Sequence, residues 1–137
     1  MRSNDAAQDS SFGPVIFSYS RTDAIADGQL LDFSGLAREA GFKIPLAVTE
    51  TLYHSYIVPA LDLVAEGQSI TGRLWDVLNV LRYTISKAKS RDTDTDLFKV
   101  LFLMTPSSSS VPIDLKAICG PGDDGSPVLT ILLPEED

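Results

Sequence analysis

Few residues in this chain are of a type that carries chemistry. Among its 137 residues there is one histidine, His54, and one cysteine, Cys119. Any Ser–His–acid or Cys–His catalysis would have to run through His54, which sits in LYHSY beside Tyr53, and no nucleophile-elbow motif accompanies it. A partly exposed, hydrogen-bonded ring is the expectation there. A single cysteine makes no internal disulfide and supplies no Cys-based structural zinc site. Asp92, Asp94 and Asp96 form a D-x-D-x-D run, and clustered oxygens suit hard cations. A calcium loop needs glycine at its sixth position and glutamate at its twelfth, where this chain has Leu97 and Leu103. The run therefore reads as a solvated loop, and neither a metal nor a cofactor is expected.

CGPGDDGSP, from Cys119 to Pro127, fails as a phosphate cradle. No Lys-Ser/Thr follows it, and the carboxylates of Asp123 and Asp124 would repel an anion. Its glycines and aspartates instead suit a tight reversal between strands. Cys119 then ends an alternating strand on its apolar face, as a buried and unreactive thiol, because an activated one needs an electropositive setting. One further set has chemical potential. Trp75, Asn79, Arg82 and Ser86 share a helical stripe, where Arg82 would hold an anion and Trp75 would form a stacking wall. Plain packing, with an arginine stem covering a tryptophan, gives the same pattern.

The elements that must position these residues follow from periodicity. Within Thr71–Ser90, Leu74, Leu78, Leu81 and Ile85 recur at i, i+4, i+7 and i+11, the mark of one long amphipathic helix, with Val77 and Trp75 flanking the stripe. Arg21–Gly28 and Ser34–Gly41 read as short helices, capped by Ser20 or Thr22 and by Ser34, and stopped by Gly28 and Gly41. ETLYHSYIV is helical up to Pro59, and Ala60–Gly67 allows a short helix. Pro14–Ser20 and Lys43–Thr49 read as strands, the second at an edge or a strand start because of its proline. Leu97–Met104 is apolar on both faces apart from Lys99, as in a central strand. Val111–Cys119 alternates, and Pro127–Pro134 is a last strand. The expected fold is α+β: an antiparallel sheet with a C-terminal three-strand meander, packed against the long helix and shorter ones. Residues 1–11 are expected to be a flexible tail, and residues 12–137 one domain.

Bulk composition narrows the function. Hydrophobic residues make up 44% and charged residues 22%, ordinary for a globular chain. The net charge of −8 divides as −5 up to Gln68 and −3 beyond it, so acidity is spread over both halves. Phosphate backbones are repelled, and direct nucleic-acid binding is disfavoured, whereas a basic protein partner is allowed. No apolar run reaches about 18 residues and no charged-then-apolar leader opens the chain, so a cytoplasmic protein with no membrane contact is expected.

Four stretches, FGPVIFSYSRTDAIADGQLLD, LAREAGFKIPLAVT, RLWDVLNVLR and LKAICGPGDDGSPVLTILLPEED, span about Phe12 to Asp137. Together they resemble an uncharacterised bacterial domain-of-unknown-function family of plasmid and integrative-element proteins. The resemblance implies an accessory role in a mobile element and assigns no catalytic residue. IFSYSRTDAIADGQLL is also remotely similar to the opening of small ADP-ribosyltransferase-like domains. That likeness implies a strand-end residue, Tyr19, Ser20 or Arg21, gripping a nicotinamide dinucleotide, and a late acid. Glu135 and Glu136 lie past Pro134, at what reads as a frayed terminus. Three functions are therefore carried forward: a protein-interaction or self-associating accessory protein, a transferase-like enzyme, and an acidic antagonist of a nucleic-acid-binding defence protein. The candidate ligand-binding residues are Tyr19, Arg21, Trp75, Asn79 and Arg82.

Overall fold

The computed structural model describes residues 19–88 and 94–136. The expected tail, most of the Pro14–Ser20 strand, and Asp92 lie outside the described residues. The first helix, α1 (Arg21–Ala26), forms where Ser20 leaves the extended backbone and its hydroxyl accepts the Asp23 N–H at 2.9 Å. Gly28, at φ +81°, ends that turn and releases the chain into a three-residue strand, β1 (Leu30–Asp32). The sequence pattern did not indicate β1, which is too short to show a period. Helix α2 (Ser34–Glu39) corrects the capping assignment. Phe33 holds the cap position, and Ser34 is the first helical residue. The Ser34 hydroxyl donates to Asp32 and accepts the Leu46 N–H at 3.0 Å, so it ties α2 to the next strand.

That strand, β2 (Leu46–Thr49), begins just after Pro45 and lies inside the sheet, so the proline marks a start and not an edge. Helix α3 (Glu50–Leu52) runs directly into a π-helical turn over Tyr53–Ile57, and α4 (Leu61–Val64) follows. The long helix α5 spans Ile70–Lys87, with the Ser69 hydroxyl accepting the Gly72 N–H at its start. Leu74, Val77, Leu78 and Leu81 are buried along the expected stripe, while Trp75 is half-buried beside it.

Three longer strands complete the sheet: β3 (Thr95–Phe102), β4 (Val111–Pro121) and β5 (Pro127–Leu132). They form the expected antiparallel meander, but the sheet order is β1-β2-β5-β4-β3, and β2 joins β5 in parallel. The sheet is thus mostly antiparallel, with α5 packed on the face that carries Phe98, Val100, Phe102, Leu115, Leu129 and Ile131. One expectation is overturned here. The Leu97–Phe102 segment lies in an edge strand of the sheet, not a central one. Its second row of apolar side chains faces out: Leu97 is 67% exposed and Leu101 61%.

The buried charge in this core is Arg73, only 2% exposed. It lies four residues before Val77 and eight before Leu81, on the apolar side of α5. Its guanidinium donates to Gln68 Oε1 at 3.1 Å, to the Tyr56 carbonyl at 2.6 Å and to the Leu103 carbonyl, and it stacks 5.4 Å from the Phe102 ring centre. Burial pushes its pKa down, with Asp76 pulling the other way. Arg73 thereby fastens the π-helical turn and the end of β3 to the long helix.

Candidate functional site

The GPGDDG turn positions the first candidate cluster. The reversal runs through Gly122–Ser126, with Gly125 at φ +86°. Asp123 reaches from it to the start of α1. Its carboxylate accepts from the Arg21 N–H (2.8 Å), the Thr22 N–H (2.9 Å) and the Thr22 hydroxyl (2.6 Å). The Thr22 hydroxyl, then the Thr22 and Arg21 amides, hold the Asp123 carboxyl below its usual range. The turn is therefore a turn, as expected, and also the clamp that satisfies the free amides of α1.

Arg21 is committed to the same junction. Its guanidinium donates to Thr130 Oγ1 at 2.7 Å and to the Leu129 carbonyl at 2.8 Å, and burial pushes its pKa down against the opposing pull of Asp32 and Asp123. Tyr19 lies apart from it. The Tyr19 phenol donates to Asp27 at 2.6 Å, and that bond pushes its pKa up to about 12. Tyr19 lines an open hollow of about 400 Å³ with Gln29, Thr49, Glu50 and Glu136. Glu136 is not frayed: its carboxylate accepts from the Thr49 hydroxyl and the Leu133 N–H, both at 2.8 Å. Tyr19 and Arg21 thus do not form one gripping edge, although Tyr19 does share a hollow with a late acid.

The α5 stripe is partly brought together. Asn79, Arg82 and Ser86 line a hollow of about 340 Å³ with Tyr83, and Trp75 is not part of it. Arg82 packs against Gly41, where a β-carbon would come within 2.9 Å of its Nε. On its other side Arg82 borders a second hollow of about 400 Å³ whose walls include Phe42, Ile44 and Ile85. Cys119 and Leu129 line that hollow too, so Cys119 is on the apolar face as expected but half-exposed, not buried. His54 is exposed and edge-on to Tyr53 at 5.1 Å, and its ring makes no hydrogen bond among the described residues. Asp94 is exposed, and Asp96 belongs to β3. Among the described residues no group of three His, Cys, Asp or Glu side chains is placed to hold a metal ion. Among them, too, no helix is long and apolar enough to cross a membrane.

The feature that sequence reasoning missed is the β3 edge. The Cys119 N–H donates to the Asp94 carbonyl at 2.8 Å, and Thr95 stands opposite Ile118, so Asp94 and Cys119 face each other as a hydrogen-bonded pair. Antiparallel alternation then turns the backbone groups of Asp96, Phe98, Val100 and Phe102 toward β4. Those of Leu97, Lys99 and Leu101 point outward, and among the described residues no strand pairs with them. The same three side chains occupy the open face of the sheet. Lys99 is bridged to Asp114 directly across from it on β4. Beside this pair, a hollow of about 310 Å³ opens between Leu97 and Pro134. A run of apolar side chains on both faces was the available signal, but it reads identically for a central strand.

These features place the chain in a class without an assigned chemistry: a mixed α+β fold with a long exposed edge at β3 and open surface hollows. The chain belongs to DUF6573, a family of unknown function, whose pattern matches residues 10–137. No curated protein and no solved structure matches it significantly.

Proposed function

We propose that this protein is a non-catalytic interaction module that captures an extended, basic segment of a partner protein along β3. The observation that carries this reading is the eight-residue edge strand with Leu97 and Leu101 exposed on its open face. Natural edges of this length are usually blunted by charge, proline or a bulge. Here Lys99 is the sole charge among Leu97–Leu101, and Asp114 neutralises it. An added strand would gain backbone hydrogen bonds from Leu97, Lys99 and Leu101, and alternate apolar side chains would settle against the two leucines. Charge selects the partner. Two copies of a chain at −8 repel each other, whereas a basic segment is drawn in by the overall negative charge, with exposed Asp94 at the start of the edge. A partner that itself binds nucleic acid fits the same argument, as does the accessory role in a mobile element that the sequence resemblance implies.

The test compares wild type, Lys99→Pro and Leu97→Lys/Leu101→Lys. Proline removes one outward N–H, and the lysines remove the apolar contacts. Each protein is used to capture partners from a cell lysate, and its mass in solution is measured. The expected result is a monomeric wild type that retains a basic protein which both variants lose. Equal capture by all three proteins overturns the reading. A wild-type dimer that both variants disrupt also overturns it, because the occupant would then be a second copy.

A further inference from the structure

We infer that the hollow between Arg82 and Lys43 is a binding site for a small amphipathic carboxylate, an apolar body of medium length bearing one anionic head. It lies where the loop after α2 and the C-terminal half of α5 fail to meet over the sheet. Its surface is apolar, built from Phe42, Ile44, Ile85, Cys119 and Leu129. Cys119 and Leu129 stand opposite each other on β4 and β5 and form its floor. Its two cations are Arg82 and Lys43. In an acidic protein such cations normally find carboxylates or carbonyls, and four of the eight described here are held in this way. Lys99 bridges Asp114, Arg21 holds Thr130 and the Leu129 carbonyl, Arg73 is buried on carbonyls, and Lys116 donates to the Pro134 and Glu136 carbonyls. The side chains of Arg82 and Lys43 make no hydrogen bond or ion pair among the described residues, and both border this apolar hollow. Gly41 lets the Arg82 guanidinium lie against the backbone there, because a β-carbon would come within 2.9 Å of Nε.

The occupant follows from these surfaces. Two cations with no bound acid ask for an anion, and a guanidinium offers a paired donor geometry suited to a carboxylate. The apolar walls ask for a hydrocarbon body, which excludes a bare inorganic anion. The hollow, about 400 Å³ and open on one side, leaves room for a hydrocarbon chain along its apolar wall. Decanoate, with a carboxylate head and a medium-length chain, is the probe.

The experiment titrates the whole chain with decanoate, decanol and butyrate, following both melting temperature and alkylation of Cys119 by neutral iodoacetamide. Decanoate is expected to raise the melting temperature and to slow labelling of Cys119 at least tenfold at saturation, since the ligand lies over the thiol. Decanol and butyrate, each lacking half of the recognition, are expected to bind at least tenfold more weakly. Arg82→Gln is expected to weaken decanoate about tenfold or more, and Lys43→Gln less, because a guanidinium offers a carboxylate paired donors where an ammonium offers a point charge. The Arg82 side chain is exposed, so the variant should fold, and its circular dichroism spectrum verifies this. Equal binding of decanol and decanoate, unchanged affinity in a folded Arg82→Gln, or Cys119 labelling indifferent to decanoate each overturns the inference.

Discussion

Replacing Arg73 with alanine should be among the most damaging single substitutions in this protein, and the size of the effect can be worked from its contacts. The side chain is 2% exposed, and its guanidinium is the donor to both the Tyr56 and the Leu103 carbonyls. Alanine leaves both acceptors short of a partner, in a space too enclosed for easy rehydration. Each such group costs about 1–3 kcal/mol, so the pair costs about 4 kcal/mol, before the lost stacking on Phe102. Domains of this size are stable by only about 5–15 kcal/mol. At a urea dependence of about 1.5 kcal/mol per molar, the unfolding midpoint should fall by about 2–3 M. Arg73→Met separates the causes, because it keeps most of the stem and none of the donors. It should recover less than half of the loss. A midpoint within about 0.3 M of wild type for Arg73→Ala, or full recovery by methionine, would refute the reasoning and make Arg73 a packing residue.

Two further outcomes are expected. Asp123→Asn should destabilise the protein at neutral pH and much less in acid. The folded carboxyl has its pKa depressed, so its stabilisation is complete above the unfolded value of about 3.9 and is lost as pH falls through the folded value. Thermal melts of both proteins between pH 7 and 2 should therefore converge at the acid end, and a constant difference would mean that the charge is irrelevant. Trp75→Ala should cost about 2 kcal/mol, below the 3–5 typical of a fully buried ring, because Trp75 is only half-buried against the core. A urea midpoint unchanged by that substitution would recast Trp75 as a surface residue.

The long helix was legible because Leu74, Leu78 and Leu81 repeat at a period that only a helix satisfies. Ser20, Gly28 and Gly41 were legible because caps and left-handed exits are local events. What escaped was long-range. Asp123 serves a helix that starts 102 residues away in sequence, and no local pattern encodes that meeting. The strand Leu30–Asp32 is held by its pairing with β2, not by its own composition. The edge position of β3 depends on which strands lie beside it, which alternation cannot reveal. Arg73 did leave a signal, an arginine in register with Val77 and Leu81 on the buried stripe. Of the candidate residues, Asn79 and Arg82 do share a hollow. Lys43, Phe42 and Cys119 reach the adjoining one only through the fold.

The parallel pairing of β2 with β5 also bears on how the chain reaches this fold. Leu46 finds its neighbour at Leu129, 83 residues further on. Until that last strand arrives, the β1–β2 pair has no second sheet neighbour, and β4 has only β3 beside it. Closing so long a loop is entropically expensive and is repaid only at the end, which slows assembly. During that wait β2 shows an open edge with Leu46, Ala47 and Val48, all wholly buried in the finished protein. Self-assembly into aggregates should therefore be seeded by Leu46–Thr49 in chains that have not yet closed. Raising protein concentration during refolding should lower the yield far more than it affects the finished fold.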